Sequence, residues 1–225
     1  MQPLPTEVQA ELLSIVFVGE FNPSIIHPAW LAKRELIGET EEREAKVEVV
    51  SPEFTRINLH WATLDVQKNR LGVTSKQESH FESIKDLVQN IVQTLRGTPV
   101  YSFGINHHFD LDIQGDDEYY GFGNTFAPLN QWKDSFNDPR MNYLEIIEQT
   151  RKDKLDGKRL IRIYNNNQRE YGVHIHINDH YRIDDKALDT NLKAVELLKQ
   201  QWEYSRTMAR EVVKSVLDKT RKKDG

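Results

Sequence analysis

Two stretches of the chain alternate polar and apolar residues with a period of two. The first is FGINHHFDLDI at residues 103–113, and the second is YGVHIHINDHY at residues 171–181. Because successive side chains of a strand point to opposite faces, this period is typical of a strand with one buried and one solvated face. Antiparallel sheets commonly have this character. The alternation therefore predicts a sheet that is covered on one face only.

The order of the predicted elements occurs twice along the chain. Residues 11–97 and residues 98–225 each indicate a strand, a short helix, three strands and a long helix, and the second long helix runs from about 185 to 219. Residues 1–10 contain two prolines and are predicted to be a flexible lead-in. An amphipathic helix covers the apolar face of a sheet. We therefore predict an α+β fold in which two pseudo-repeats form one curved antiparallel sheet with the long helices on one face.

This element order resembles the duplicated arrangement of the TATA-binding protein and its structural relatives. The resemblance implies two half-sheets joined into one curved sheet, with helices on the convex face and a concave face open to a partner. It is a resemblance of element order, so no functional residue transfers from it. The stretches VGEFNPSIIHPAWL and FGINHHFDLD are also similar to a group of bacterial proteins that brings no known chemistry with it.

Polar side chains of the two alternating stretches form the candidate site. If their strands are neighbours in the sheet, these side chains share the open face. The binding residues expected there are His108, Asp110, His174, His176 and Asn178. His107 falls on the apolar side and is expected to be a hydrogen-bonded core histidine.

The histidine cluster admits several interpretations. His108, Asp110, His174 and His176 are a possible ligand set for Zn or another divalent metal, because His-x-His spacing suits two ligands from one strand. A histidine and an aspartate within hydrogen-bond reach can also exchange protons as a general acid and base. The same residues otherwise form a polar surface for a partner, or simply the solvated side of a sheet.

Trp61 is a further candidate binding residue. It alternates out of phase with Ala62, Leu64 and Val66, which predicts that it lies on the open face. An exposed tryptophan there favours a binding surface. The alternative is a rim residue packed under a loop.

Composition excludes several function classes. The chain has 225 residues, a net charge of -5 and no cysteine. Duplex DNA needs a basic face that releases counterions, so binding to duplex DNA is not expected. Disulfides, thiolate catalysis and cysteine-ligated zinc are excluded. The first 21 residues match neither a signal peptide nor a membrane span, so we expect a cytoplasmic protein without membrane contact.

The function that these patterns favour is a non-catalytic binding module or accessory subunit that acts through protein–protein interaction and needs no cofactor. Its partner is another protein or a second copy, bound by the open face or by the last helix. Four residues widen the apolar face of that helix: Tyr204, Met208, Val213 and Leu217. The alternative is that the N-terminal segment covers this apolar face. One alternative is a metal-dependent enzyme or metal-binding sensor that uses the His/Asp cluster. A second alternative is nucleic-acid binding by analogy of fold.

Overall fold

A computed structural model describes residues 4–113, 115–184 and 189–221 of the chain. Nine strands and five α-helices lie within these residues. The strands are β1 (Val8–Gly19), β2 (Lys46–Val50), β3 (Phe54–Asn58), β4 (Thr63–Gln67), β5 (Arg70–Ser75), β6 (Val100–Asp112), β7 (Tyr143–Glu148), β8 (Gly157–Asn165) and β9 (Gly172–Arg182). The helices are α1 (Pro28–Lys33), α2 (Glu39–Glu44), α3 (Phe81–Thr94), α4 (Asp116–Phe126) and α5 (Thr190–Arg221).

The described strands join one open antiparallel sheet in the order β2-β3-β4-β5-β1-β6-β9-β8-β7. The long strands β1 and β6 pair at its centre, where Ile15 lies opposite Ile105. On the other side β6 pairs with β9, and His108 lies opposite His176. The expected α+β class and antiparallel sheet are confirmed, and the two alternating stretches are adjacent strands.

The sheet is covered on one face. On β6, the fully buried Phe103, Ile105, Phe109 and Leu111 share that face because they are two residues apart or a multiple of two. Phe103 and Ile105 belong to one core cluster, and Phe109 and Leu111 belong to a second. Helical side chains complete both clusters, among them Leu31 of α1, Ile84 and Val88 of α3, Phe122 of α4, and Leu198 and Val213 of α5.

Helix α5 connects the two core clusters. Its N-terminal half buries Leu198 and Trp202 in the first cluster, and its C-terminal half buries Ala209 and Val213 in the second. Burial of one large apolar side chain contributes about 1.5–3 kcal/mol to folding. The helix therefore stabilises both halves of the sheet and fixes the face that remains open.

A charged network is buried on the covered side of β9. Asp179 is fully buried and accepts hydrogen bonds from Arg151 Nη1 at 2.6 Å, Arg159 Nε at 3.0 Å and the Tyr181 hydroxyl at 2.6 Å. Asp153 accepts from both guanidinium groups, at 2.6 Å and 2.5 Å. Charge-assisted hydrogen bonds of this kind are short and strong. They bind the segment before β8 to β8 and β9.

The structure corrects two expectations about the elements. The three strands expected after the short helix of the first half are four in the structure, because residues 59–62 interrupt the stretch RINLHWATLDVQ between β3 and β4. Residues 8–10, expected in the flexible lead-in, belong to β1, which begins at Val8, and Leu4 packs against the second core cluster. The equivalence of the two halves stays a prediction.

The C-terminal part of α5 is covered within the chain. Val213 and Leu217 are buried in the second core cluster, against which Leu4 and Val8 pack. Arg221 also donates a hydrogen bond to Glu7. The N-terminal segment therefore packs against the cluster that contains Val213 and Leu217, whereas Tyr204 of the same helix is 45% exposed. Of the helices in the described part of the chain, none has the length and apolar character needed to cross a bilayer.

Candidate functional site

A row of polar side chains lies on the open face of β6 and β9. We call this row the histidine ladder. Its members are Asn106, His108 and Asp110 of β6 and His174, His176 and Asn178 of β9. Each member lies directly opposite a member on the other strand: Asn106 opposite Asn178, His108 opposite His176, and Asp110 opposite His174. All six are partly exposed, whereas the residues between them are buried. The period-two alternation of both strands therefore produces the ladder.

Three members of the ladder form a chain of hydrogen bonds. Asp110 Oδ1 lies 2.6 Å from His174 Nδ1, and His174 Nε2 lies 3.1 Å from His108 Nδ1. A carboxylate only accepts hydrogen bonds, so His174 carries its hydrogen on Nδ1. In the tautomer of His174 that carries its single hydrogen on Nδ1, Nε2 accepts and His108 donates from Nδ1. His108 is left with a lone pair on Nε2.

The other arm of the ladder fixes the tautomer of His176. Asn178 Nδ2 donates to Asn106 Oδ1 at 2.7 Å, and His176 Nε2 lies 3.2 Å from the same oxygen. Because that oxygen is an acceptor, His176 donates from Nε2 and has a lone pair on Nδ1. His108 Nε2 and His176 Nδ1 have no hydrogen-bond partner among the described residues. Two hydrogen-bond acceptors are therefore available on the open face.

The two imidazole rings that carry these acceptors are stacked. The ring centroids of His108 and His176 lie 4.2 Å apart, with an interplanar angle of 3°. Burial, together with the neighbouring His176 and His174, lowers the pKa of His108 to about 3. Burial and the nearby Arg162 lower the pKa of His176 to about 4. Both rings are therefore neutral at pH 7.

Strand β8 supplies a second row beside the ladder. The ring of Tyr164 lies 4.8 Å from that of His174, and Asn166 Nδ2 donates to Asp110 Oδ1 at 3.0 Å. Arg162 lies opposite His176 and donates from Nε to Glu145 Oε2 at 2.6 Å. Asn166 and Tyr164 therefore restrain Asp110 and His174 from the side of β8. These hydrogen bonds and ring contacts hold Asp110 and His174 in one arrangement.

The structure brings together five of the six expected site residues. His108, Asp110, His174, His176 and Asn178 lie on one face within hydrogen-bonding or stacking distance of a neighbour. His107, expected in the core, is fully buried, and its Nε2 lies 3.1 Å from Ser205 Oγ of α5.

Trp61 does not lie on the open face. It is buried in the first core cluster, and its Nε1 donates to Glu41 Oε1 at 2.5 Å. The expectation fails because Trp61 belongs to the turn between β3 and β4, where the alternation of a strand does not apply.

The ladder does not form a metal-ligand set. Throughout residues 4–113, 115–184 and 189–221, no three His, Cys, Asp or Glu side chains converge to hold a metal ion. His108 Nδ1 and His174 Nε2 face each other and share a hydrogen. His174 Nδ1 is in turn engaged by Asp110. A metal would therefore have to displace hydrogen bonds that the side chains already make.

Sequence reasoning missed Tyr164 and Asn166 as members of the site. Both follow from the alternation in KRLIRIYNN, where Arg162, Tyr164 and Asn166 are two residues apart. The buried Ile163 marks the opposite face. The period-two alternation that predicts the histidines on the open face therefore also predicts Tyr164 and Asn166 on that face.

Comparison with known proteins gives no independent guide to this site. The chain matches no protein-family model, and no curated protein is similar to it in sequence.

Proposed function

We propose that the chain is a non-catalytic binding module whose open sheet face, centred on the histidine ladder, binds a protein partner. The observation that carries the proposal is the network of hydrogen bonds that fixes the side chains of the ladder on the open face. Binding costs free energy when interface side chains must be immobilised, by about 0.5–1.5 kcal/mol for each flexible one. A surface whose polar groups are already fixed avoids much of that cost.

The chemistry of the ladder favours a partner that donates hydrogen bonds. His108 Nε2 and His176 Nδ1 are acceptors on stacked, neutral rings. Asp110 adds a negative charge that polarises the chain of hydrogen bonds toward His108. The chain as a whole carries a net charge of -5. A lysine or arginine side chain of a partner protein meets all three conditions.

The proposal includes the duplicated fold. Outward from the central pair, β1 is followed by β5, β4, β3 and β2, and β6 is followed by β9, β8 and β7. This order supports two half-sheets of one design, as in the TATA-binding protein and its relatives. The acidic balance argues against duplex DNA as the ligand. We place the module in the cytoplasm and assign it no membrane contact.

A comparison of matched variants tests the proposed binding face. The wild-type protein, the double variant His108→Ala/His176→Ala and the control Leu192→Ala are immobilised and exposed to lysate of the native cell. Leu192 is 46% exposed on α5, on the covered side of the sheet. We expect proteins that the wild type and the control retain and the double variant loses. Retention of the same proteins by all three would reject the open face as the binding surface.

General acid–base catalysis is a second candidate function. The hydrogen-bonded chain from Asp110 through His174 to His108 favours it, because the carboxylate orients the imidazoles and leaves His108 Nε2 able to accept a proton. Diethyl pyrocarbonate acylates neutral imidazole and tests whether His108 Nε2 is reactive. We expect Asp110→Asn to slow the modification of His108 relative to the wild type. An unchanged rate would exclude the relay.

A further inference from the structure

Strand β7 leaves one edge of the sheet unpaired. It is the last strand in the sheet order and pairs only with β8, in regular register from Tyr143 opposite Tyr164 to Glu148 opposite Arg159. No backbone hydrogen bond joins β7 to any other segment of the described chain. An unpaired edge presents a row of N–H and C=O groups to which another strand can pair.

Large apolar side chains of β7 are exposed at this edge. Tyr143 is 51% exposed, Ile146 is 53% exposed and Ile147 is 37% exposed. Because 146 and 147 are successive residues of a strand, the apolar exposure extends to both faces of the sheet. Glu145 and Glu148 are turned to Arg162 and Arg159 of β8, at 2.6 Å and 3.2 Å. The charges of β7 are thus neutralised within the chain and do not prevent another strand from pairing with this edge.

The opposite edge is protected in a way that β7 is not. Strand β2 begins with Lys46, and its register with β3 shifts between Val47 and Val49. A lysine and a bulge are two devices that prevent an edge strand from pairing with another chain. The two edges of one sheet therefore differ, and β7 is the edge suited to pairing.

We propose that β7 pairs antiparallel with β7 of a second copy of this chain. If a two-fold axis perpendicular to the sheet relates the two copies, their open faces lie on the same side of the joined sheet. An even-numbered residue of β7 then lies opposite an even-numbered residue of the other copy, and an odd-numbered residue opposite an odd-numbered one. One such register places Ile146 opposite Ile146 of the other copy and Glu145 opposite Ile147. The neighbouring register places Glu145 opposite Glu145, which opposes like charges and destabilises the pair.

The favoured register closes the assembly at two copies. Self-pairing of β7 uses the exposed edge of each copy, and only the protected β2 edges remain at the ends of the joined sheet. The same symmetry places both open faces, and both histidine ladders, on one side of the assembly. The dimer rests on β7 alone, so its test does not depend on whether the open face binds a partner.

Cysteine substitution tests the register, because the native chain contains no cysteine. Opposite residues of antiparallel strands have Cα atoms about 4.5–5.5 Å apart, within the range that a disulfide spans. We expect purified Ile146→Cys to form disulfide-linked dimers under mild oxidation. Two control variants should remain single chains on a non-reducing gel. In Glu145→Cys the two cysteines are two residues apart along the paired strands, and in Val47→Cys they lie on the protected β2 edges.

Sedimentation of the uncrosslinked protein provides the second measurement. We expect the wild-type mass to rise toward two chains with concentration, and Ile146→Lys, which opposes two cations at the axis, to keep the mass of one chain. Ile147→Lys, which lies opposite Glu145, should still dimerise. Crosslinking of Glu145→Cys but not Ile146→Cys would overturn the register. Crosslinking of Ile146→Cys no greater than that of Val47→Cys, with a single-chain mass at every concentration, would overturn the dimer.

Discussion

Removal of the buried charge of Asp179 should destabilise the protein strongly. Asp179 and the Arg151 side chain are 0% exposed, and the Arg159 side chain is 10% exposed. Asp179→Asn keeps the shape but leaves two buried guanidinium groups with only Asp153 and Glu148 as anionic partners. Breaking a buried ion pair on one side costs about 3–5 kcal/mol. Because two anions remain, we expect the lower end, about 3 kcal/mol, which is a large part of a typical domain's stability.

Urea denaturation followed by tryptophan fluorescence measures this loss, and Asp65→Asn is the matched control. Asp65 also accepts from an arginine, Arg56, at 2.6 Å, but their side chains are 33% and 41% exposed. Exposed ion pairs contribute at most about 1 kcal/mol. Equal losses in the two variants would refute the argument that burial of the network determines its contribution. A larger loss of unfolding free energy in Asp179→Asn than in Asp65→Asn would support the conclusion that the buried network stabilises the position of β9.

Three further predictions concern pH and glycine. Burial lowers the pKa of His107 from 6.5 to about 3, so between these values the unfolded chain binds a proton that the folded chain does not. The free energy of unfolding should therefore fall by about 1.4 kcal/mol for each pH unit below 6.5 on account of His107. Denaturation at pH 7, 5.5 and 4.5 should give a shallower slope for His107→Gln, and identical slopes would contradict this. A Cβ on Gly104 would lie 2.9 Å from Asn178 Nδ2, the end of a flexible side chain. Gly104→Ala should thus weaken partner capture while costing less than about 1 kcal/mol in urea denaturation; unchanged capture would argue against the ladder. A Cβ on Gly157, at φ 137°, would lie 2.0 Å from the His180 carbonyl oxygen. Gly157→Ala should lower the urea midpoint far more than Gly104→Ala, and similar midpoints would be inconsistent with the clash.

The period-two pattern made much of the site predictable from the sequence. Alternation alone placed His108, Asp110, His174 and His176 on one face and His107 in the core, because burial of one sheet face imposes that register. The same rule failed at Trp61, since a turn between β3 and β4 ends the alternation before that residue is reached.

Long-range polar contacts were beyond prediction from the pattern. Asp179 follows the ladder on β9, yet its partner Arg151 lies 28 residues away in a segment without periodicity. Similarly, the hydrogen bond between His107 and Ser205 spans 98 residues. Such contacts depend on how the elements pack, and local spacing carries no signal for them. The unpaired edge at β7 likewise becomes visible only once the order of the strands is known.

Site-specific photo-crosslinking in the native cell tests the proposed open face most directly. Ser14 lies opposite Asn106 on β1, on the same face as the ladder, and is partly exposed. A photoreactive residue at position 14 should give a discrete adduct with a partner protein, and His176→Ala should abolish it. A photoreactive residue at Leu192 should give no such adduct. An adduct only from Leu192, or one from position 14 that His176→Ala leaves unchanged, would contradict the proposal.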